Sequence, residues 1–358
     1  MVRSGHHAPT LLLVMAALSS AERVINWGII GTGAVAHDFA TVLNACDGCQ
    51  VKAVGSRTAE SAERFGEAHG IPVRYGSYEE LANDAGIDIV YIASPSKVHV
   101  EHSELCLNAG RAVLCEKTMA VDSEGAARVL DLAKEKQLLF MHGVWTRHFP
   151  AVHKLRELVT SGALGDLRHV SIDFNQAASA SGEAALGEGA LLETGVYPIA
   201  LLDFVMGQAP ESMRVLGELS PGGAERQVDL LCSYSKGATL AHLHCGLTVG
   251  TPRCATFIGS LGTAVLPFPF WCPNKLIVKK DGGDQRPGEH EEEEAFPLPP
   301  VTGSETFNFV NSEGFMYEIE EANRCLREGR VESPSVDGDF NRRLLAMVDE
   351  AKRALREA

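Results

Sequence analysis

The sequence predicts an α/β fold in which a doubly wound parallel sheet is followed by an α+β domain with a large, open, mostly antiparallel sheet. Apolar strand runs alternate with helical segments over residues 24–146, as in parallel strands joined by right-handed helical crossovers. From about residue 212, strand-like runs follow one another through short connections, which suits antiparallel neighbours. The 358 residues are enough for about two domains, each with its own core.

The first domain is predicted to begin with a buried strand at residues 24–30, followed by a helix through residue 44. Strands and helices then alternate up to residue 143. The further predicted strands are 51–55, 71–74, 87–93, 112–115 and 138–143, and the further helices are 59–69, 78–83, 98–109 and 123–135.

The second domain is predicted to begin with a helix at 151–161 and a half-exposed strand at 166–175, and another helix is predicted at 189–205. Residues 281–294 contain Gly, Pro and four consecutive glutamates, so we predict a solvated hairpin tip. They lack the spaced ligands of a calcium loop. Further strands are predicted at 228–235, 238–248, 255–259, 263–266 and 275–279, with closing helices at 315–328 and 339–354.

Charge and composition exclude several classes of protein. The 47 Asp and Glu residues outnumber the 32 Lys and Arg, and the resulting net charge of −15 repels nucleic acids and anionic membranes. No apolar run approaches the roughly 20 residues of a membrane helix. The close pair Cys46 and Cys49 lacks the further ligands of a zinc site, so no metal is predicted.

Residues 1–23 do not fit the alternating pattern. They contain a short apolar run at residues 11–18, preceded by a single fixed positive charge at Arg3. We predict a disordered extension, or an artefact of the assigned start if translation begins at Met15, and a targeting peptide is the alternative. The folded protein is expected in the cytoplasm.

A glycine-rich turn follows the first strand and opens a helix. Residues 31–36 read Gly-Thr-Gly-Ala-Val-Ala, the GxGxxA pattern. Its first glycine permits the tight turn, its second leaves room for a pyrophosphate, and the helix N-terminus favours negative charge. This predicts a Rossmann domain that binds a dinucleotide, and an ordinary strand–helix turn is the alternative. The predicted contacts are Gly31, Thr32, Gly33, Ala34 and Val35.

The end of the second strand predicts which dinucleotide is bound. NAD enzymes usually place a carboxylate there, against the ribose 2′-hydroxyl. This sequence instead reads Ser56-Arg57, and a guanidinium pairs well with a 2′-phosphate. We therefore predict NADP rather than NAD, with Ser56 and Arg57 as cofactor contacts.

Two later strand ends are predicted to lie beside the nicotinamide, because ligands of open parallel sheets bind at the carboxyl ends of the strands. Ser94 and Pro95 follow the fourth strand, and Glu116 and Lys117 follow the fifth. An ordinary surface lysine is the alternative for Lys117. His99 is predicted to be structural or to lie on the cofactor side.

Several segments resemble a family of oxidoreductases named after glucose–fructose oxidoreductase, inositol dehydrogenase and a rhizopine-catabolism protein. The glycine-rich turn, the SPSKVH segment at 94–99 and the CEKT segment at 115–118 carry this resemblance. It implies a Rossmann domain over residues 24–146 and a substrate-binding and dimerisation domain over 147–358. Within the family, segments 144–150, 162–168, 189–197, 270–278 and 296–300 are similar to the dimeric dihydrodiol dehydrogenases, also described as NADP-linked D-xylose 1-dehydrogenases.

The resemblance also implies candidate catalytic residues. Lys117 corresponds to the signature lysine of the family. Tyr197 takes the place of a histidine found in most members, and Glu193 stands where an aspartate is usual. Trp145 and Arg147 are predicted to line the substrate cleft, with core packing as the alternative for Trp145.

These residue types suggest a mechanism. Alcohol oxidation needs a base for the hydroxyl proton while hydride leaves for the nicotinamide, and free tyrosine, with a pKa of about 10, is a poor base at neutral pH. A nearby ammonium lowers the pKa of a phenol by favouring its charged form. We therefore predict Tyr197 as general base, Lys117 as its electrostatic partner and Glu193 as an orienting or hydroxyl-binding group.

The predicted activity is NADP-dependent oxidation of a cyclic polyol, either a D-xylose-type aldose at C1 or a trans-dihydrodiol. An aldose–aldose oxidoreductase with tightly bound NADP and a non-catalytic NADP-binding sensor are the alternatives. The open sheet leaves a broad face to cover, so a homodimer is expected. We expect neither a nucleic-acid nor a membrane partner.

Overall fold

The computed structural model describes residues 23–177, 187–280 and 291–357. Two β-sheets with flanking helices form these parts of the chain. The extension predicted at the N-terminus, up to residue 22, and most of the predicted hairpin tip, residues 281–290, lie outside the described residues. Within the described ranges, no helix is both long and apolar enough to cross a membrane.

The first sheet has six parallel strands: β1 (Ile25–Ile30), β2 (Cys49–Gly55), β3 (Val73–Tyr75), β4 (Ile89–Ile92), β5 (Ala112–Glu116) and β6 (Phe140–Gly143). Their order is β3-β2-β1-β4-β5-β6. Strands β4, β5 and β6 are buried along their whole length, which explains their continuous apolar runs. The connecting helices are α1 (Ala34–Asn44), α2 (Ala59–His69), α3 (Tyr78–Ala82), α4 (His99–Asn108) and α5 (Ser123–Lys136).

The second sheet has eight strands: β7 (Leu167–Asn175), β8 (Ser212–Leu219), β9 (Glu225–Tyr234), β10 (Thr239–Gly246), β11 (Ala255–Gly259), β12 (Gly262–Leu266), β13 (Lys275–Lys280) and β14 (Glu291–Ala295). Their order is β14-β13-β12-β11-β7-β10-β9-β8, and all neighbours are antiparallel except β7 and β10. The predicted fold class is confirmed. The accompanying helices are α6 (Pro150–Thr160), α7 (Val196–Met206), α8 (Phe315–Arg327) and α9 (Gly338–Glu357).

The sequence predicts that the run of four glutamates belongs to a hairpin tip. That prediction is wrong for these residues, because the run lies in the edge strand β14. Each glutamate of this run faces the lysine-rich strand β13. Lys275 contacts Glu293 at 3.2 Å, and Lys279 contacts Glu291 at 2.9 Å. Opposite charges on neighbouring strands support pairing, and a charged edge discourages further strand addition.

Helix α8 and the segment before it return to the first sheet. The Trp27 indole on β1 donates a hydrogen bond to the Asn323 side chain on α8 at 3.1 Å. The buried Asp38 carboxylate on α1 accepts hydrogen bonds from the Asn308 N–H at 2.9 Å and from the Ser312 hydroxyl at 2.7 Å. These bonds hold the segment before α8 beside the glycine-rich turn, so late residues complete a site that the first sheet begins.

Candidate active site

A cavity of about 730 Å³ lies between residues that follow the strands of the first sheet and residues of the second half of the chain. This is where a doubly wound sheet is expected to bind its ligand. On the first-sheet side it is lined by Val35, Ser94, Pro95, Ser96, Lys97, Glu116, Lys117, Thr118 and Trp145. The remaining lining residues are Phe174, Gln176, Gly187, Glu188, Leu192, Glu193, Tyr197, Arg253, Phe268, Trp271, Asn308, Phe309, Val310 and Phe315.

The glycine-rich turn adjoins one end of this cavity, where Val35 forms part of the wall. Gly31 has a φ of 106°, and a Cβ there would lie 2.7 Å from the Ala93 carbonyl oxygen, so glycine is required. A Cβ at Gly33 would meet no atom within 4 Å, and the adjoining Ala34 is exposed. This free space at the start of α1 fits a pyrophosphate.

The end of β2 lies beside this turn, because the Gly31 N–H donates to the Gly55 carbonyl at 3.0 Å. Ser56 is buried, and its backbone N–H donates to the Tyr75 carbonyl at 3.2 Å. Arg57 is exposed and makes no hydrogen bond or ion pair with any residue in the described parts of the chain. Its guanidinium is therefore available to an anionic group.

His99 has a positioning role at the loops that follow β4 and β5. It is buried; its Nδ1 lies 2.8 Å from the Thr118 carbonyl oxygen and its Nε2 lies 2.6 Å from the Ser94 carbonyl oxygen. It does not line the cavity, whereas Ser94 and Pro95 do. Of its two predicted roles, the structure therefore favours the structural one over direct contact with the cofactor.

Lys117, directly after β5, approaches a π-helical turn (Leu191–Gly195) that leads into α7. Its ammonium nitrogen lies 3.2 Å from the backbone carbonyl oxygen of Glu193 and 3.4 Å from Glu193 Oε2. It lies 5.8 Å from the centroid of the Tyr197 ring. The structure thus brings the three predicted catalytic side chains into one cavity. The sequence predicts a single regular helix here, and π turns are frequent at functional sites.

Two carboxyl groups lie buried near the Tyr197 phenol. Glu116 accepts a hydrogen bond from the Tyr91 hydroxyl at 2.5 Å and another from the Lys117 backbone N–H at 3.1 Å. Glu318, on α8, is fully buried, and neither of its carboxyl oxygens has a hydrogen-bond partner among the residues that the structure describes. Burial, and then the charge of Glu116, raise the pKa of Glu318 well above its usual value.

The pKa of Tyr197 is raised well above its usual value, which is opposite in direction to the sequence prediction. Burial is the main cause, and the charges of Glu116 and Glu318 add to it. The Trp145 indole acts in the other direction, and it is too weak to reverse the shift. Tyr197 therefore holds its proton at neutral pH in this structure.

Trp145 and Arg147 lie in one short 3₁₀ turn (Trp145–His148) but face different surroundings. The Trp145 ring lines the cavity and stacks on Phe315 with centroids 4.5 Å apart. The prediction that Arg147 lines the substrate cleft is wrong, because its buried guanidinium pairs with Asp203 at 3.1 Å and lies over Phe340 at 3.7 Å. Burial lowers the pKa of Arg147 to about 10. A 3₁₀ helix has three residues per turn, so side chains two positions apart point in different directions.

Sequence reasoning missed most of the second wall of the cavity. Trp271 lies in a segment noted only for its resemblance, and Phe174 is an inward position of β7. Arg253, Asn308 and Phe309 lie outside regular elements, where hydrophobic periodicity gives no signal.

Two family models match most of the chain. The oxidoreductase family with an NAD-binding Rossmann fold matches residues 25–144, and the GFO/IDH/MocA C-terminal domain matches residues 152–265. The chain belongs to the GFO/IDH/MocA oxidoreductase family. The resemblance recognised in the sequence is thereby confirmed, and with it an NAD(P)-binding Rossmann domain in an oxidoreductase.

Curated relatives and solved structures agree with this membership. The chain is 35% identical over 337 residues to the trans-1,2-dihydrobenzene-1,2-diol dehydrogenases of Bos taurus and Homo sapiens, covering 92% of this chain and 97% of each relative. A 3-ketoreductase from Actinomadura kijaniata, solved with TDP-benzene and NADP, superposes with a TM-score of 0.77 at 24% identity, covering 93% of this chain and 97% of that one. An aldose-aldose oxidoreductase from Caulobacter crescentus, complexed with glycerol, superposes with a TM-score of 0.79 at 22% identity, covering 94% of this chain and 98% of that one. At these identities the two structures show a shared fold.

Proposed function

We propose that the protein is an NADP-dependent dehydrogenase that oxidises a cyclic polyol by hydride transfer to the nicotinamide. The observation that carries this proposal is the meeting of the Lys117 ammonium, the Glu193 carboxylate and the Tyr197 phenol in the cavity that Ser94 and Pro95 also line. The similarity to trans-1,2-dihydrobenzene-1,2-diol dehydrogenases supports the same reaction class.

The cofactor is proposed to bind along the glycine-rich turn, with Gly31, Thr32, Gly33, Ala34 and Val35 beside the pyrophosphate. The left-handed Gly31 and the free space beside Gly33 fit that group. The Arg57 guanidinium has no ion-pair partner among the described residues, and with Ser56 next to it this supports NADP over NAD, because a 2′-phosphate would supply an anion. Ser94, Pro95, Glu116 and Lys117 would form the nicotinamide end.

The bound nicotinamide supplies the hydride chemistry, and the protein handles the proton. Lys117 holds the substrate oxygen and stabilises negative charge on it, while Glu193 fixes the lysine side chain by two contacts. Tyr197 is the acid/base group. Since its pKa is raised by burial and by neighbouring carboxyl groups, its protonated form dominates at neutral pH, so the phenol carries the proton that carbonyl reduction needs. Oxidation uses the same groups in reverse and is favoured as pH rises.

Two substrate classes are compatible with this chemistry. A D-xylose-type aldose oxidised at C1 gives a lactone, and a trans-dihydrodiol of an aromatic ring gives a catechol. Each presents a ring carbon with a hydroxyl beside another oxygen. The aromatic wall formed by Phe174, Trp271 and Phe315 suits the apolar face of either ring. We propose the sugar as the physiological substrate, with dihydrodiols accepted by the same cleft.

A homodimer is proposed through the open face of the second sheet. Leu216, Leu231 and Leu240, on the neighbouring strands β8, β9 and β10, are 69%, 50% and 54% exposed. A cluster of large apolar side chains on a sheet face is typical of an interface, and identical subunits most often pair through a two-fold axis.

The proposed function is tested by a screen for NADP⁺ reduction across aldoses, inositols and trans-dihydrodiols, each repeated with NAD⁺. We expect NADPH formation with an aldose or a dihydrodiol and a higher kcat/KM with NADP⁺ than with NAD⁺. Tight NADPH binding without turnover of any substrate would contradict the proposal and support a sensor. A clear preference for NAD⁺ would contradict the cofactor assignment alone.

A further inference from the structure

An arginine that has no counter-ion among the residues the structure describes lies in the wall of the cavity. The guanidinium carbon of Arg253 lies 4.5 Å from the centroid of Phe268 and 5.8 Å from that of Trp271. Its Nε is buried and has no hydrogen-bond partner in the described part of the chain. Throughout the described residues, the guanidinium forms no hydrogen bond and no ion pair.

Hydrogen bonds to a side chain of strand β7 fix the backbone around Arg253. Arg253 has a φ of 56°, in the left-handed region that costs energy for a residue other than glycine. Asp173, on β7, accepts hydrogen bonds from the Arg253 N–H at 2.7 Å and from the Cys254 N–H at 3.4 Å. These bonds offset the cost and leave the side chain of Arg253 stacked on the aromatic wall, so its donors are held in place before any ligand binds.

A continuous row of rings joins Arg253 to the proposed reacting group. The Tyr197 and Phe174 centroids lie 5.5 Å apart, and those of Phe174 and Trp271 lie 4.2 Å apart in a stacked arrangement. All of these residues line the same cavity. A ring that stacks along this row with its reacting hydroxyl at Tyr197 can therefore extend a substituent towards Arg253.

Arg253 and Lys117 differ in whether a charged side chain is paired with them. The Lys117 ammonium already pairs with Glu193, whereas Arg253 has no such partner in the described parts of the chain. A guanidinium stacked on aromatic rings presents a planar fork of N–H donors that matches a carboxylate or a phosphate. A neutral aldose or a simple dihydrodiol offers no such group.

We propose that Arg253 binds an anionic group, a carboxylate or a phosphate, on a cyclic polyol substrate whose reacting hydroxyl lies at Tyr197. This rests on the proposed function for the reacting end of the site. It narrows the substrate class to acidic sugars or similarly acidic diols, in which the anion is remote from the carbon that loses hydride.

The test compares three aldoses that share one ring: the neutral sugar, its uronate and its 6-phosphate, each with NADP⁺. We expect kcat/KM to be higher for one or both anionic substrates by about tenfold or more, mainly through a lower KM. The uronate and phosphate arms identify which anion the site takes. An equal or lower kcat/KM for both anionic sugars overturns the proposal.

The variant Arg253→Gln tests the residue itself. It should lower kcat/KM for the preferred anionic sugar by about ten- to a hundredfold and change kcat/KM for the neutral sugar little. Arg168→Gln, which changes an exposed arginine on β7 outside the cavity, is the matched control and should change neither. An equal loss for neutral and anionic sugars would mean that Arg253 only packs on the aromatic wall.

If Arg253→Gln fails to fold, Arg253→Lys keeps the charge and removes the planar fork, and it should lower the ratio of anionic to neutral kcat/KM. An unchanged ratio in that variant contradicts the proposal. Failure of this inference can be told apart from failure of the proposed function, because turnover of the neutral sugar without an anionic preference overturns only the role of Arg253. Absence of turnover with every substrate overturns the dehydrogenase proposal.

Discussion

The Lys117 ammonium lies 5.8 Å from the centroid of the Tyr197 ring, at the junction of the two halves of the chain. The two residues reach this position by different routes. Lys117 follows the end of a parallel strand, and Tyr197 follows a π turn whose Glu193 carbonyl accepts a hydrogen bond from the lysine. The proposed site thus depends on contacts between two sequence-distant segments.

Replacing Lys117 by Met should lower kcat by about a hundred- to ten-thousandfold, because the group that stabilises charge on the substrate oxygen is lost. NADPH binding, followed by fluorescence titration, should stay close to that of the wild type. Lys136→Met is the matched control, since this exposed lysine on α5 lies outside the cavity. A Lys117→Met enzyme with near-wild-type kcat would show that the ammonium has no role in the chemical step.

The pH dependence should differ between the two directions of the reaction. Because burial, Glu116 and Glu318 raise the pKa of Tyr197 well above 10, carbonyl reduction should be nearly constant from pH 6 to 9, where the phenol keeps its proton. Oxidation needs the phenolate, so kcat/KM should rise by about tenfold per pH unit over the same range. Steady-state kinetics in both directions measures these slopes. A plateau in oxidation below pH 8 contradicts the raised pKa.

In the alkaline range where Glu318 itself ionises, Glu318→Gln should move the rising limb of the oxidation profile to lower pH, because the amide carries no charge that opposes ionisation of Tyr197. The exposed Glu320, on the same helix, gives the control variant Glu320→Gln, which should leave the profile in place. A uniform loss of rate without a shift in pH would assign Glu318 a purely structural role.

Arg57→Ala should raise the KM for NADP⁺ by about ten- to a hundredfold and leave that for NAD⁺ nearly unchanged, since only NADP carries the 2′-phosphate. Initial-rate kinetics with both cofactors checks this. The exposed Arg64 on α2 provides the control substitution Arg64→Ala. Equal losses with both cofactors would remove the basis for assigning Arg57 to the phosphate.

Arg147→Met should lower the free energy of unfolding by about 3 kcal/mol, because it removes one of the two arginines that pair with the buried Asp203. Urea denaturation measures the loss. The folded variant should keep its KM for substrate, since Arg147 lies outside the cavity. A large rise in KM with unchanged stability would restore the sequence-based assignment of Arg147 to the substrate cleft.

The parts of the fold that the sequence predicts best are those in which one physical constraint acts on every residue of an element. Strands β4 and β5 are covered on both faces, so their apolar runs are unbroken and their ends place Ser94 and Lys117 at the cavity. The glycine-rich turn is predicted for the same kind of reason, because Gly31 has to adopt a left-handed conformation.

The remaining site residues depend on interactions that sequence periodicity does not carry. The charge of Lys117 suggests a lowered Tyr197 pKa, but burial and two carboxyl groups from β5 and α8 raise that pKa instead. Arg147 looks like a substrate ligand until its partner Asp203 is known. The glutamates of β14 resemble a solvated loop because their stabilising lysines lie on the preceding strand.

The proposal of Tyr197 as the acid/base group in an NADP-dependent dehydrogenase is tested most directly by the initial rate of NADPH formation, measured at the nicotinamide absorption band with a substrate found in the screen. The wild type and Tyr197→Phe differ by one hydroxyl group. We predict steady NADPH formation by the wild type and a loss of kcat of about a hundredfold or more in Tyr197→Phe, with NADPH still bound. Equal rates for the two proteins would contradict the account.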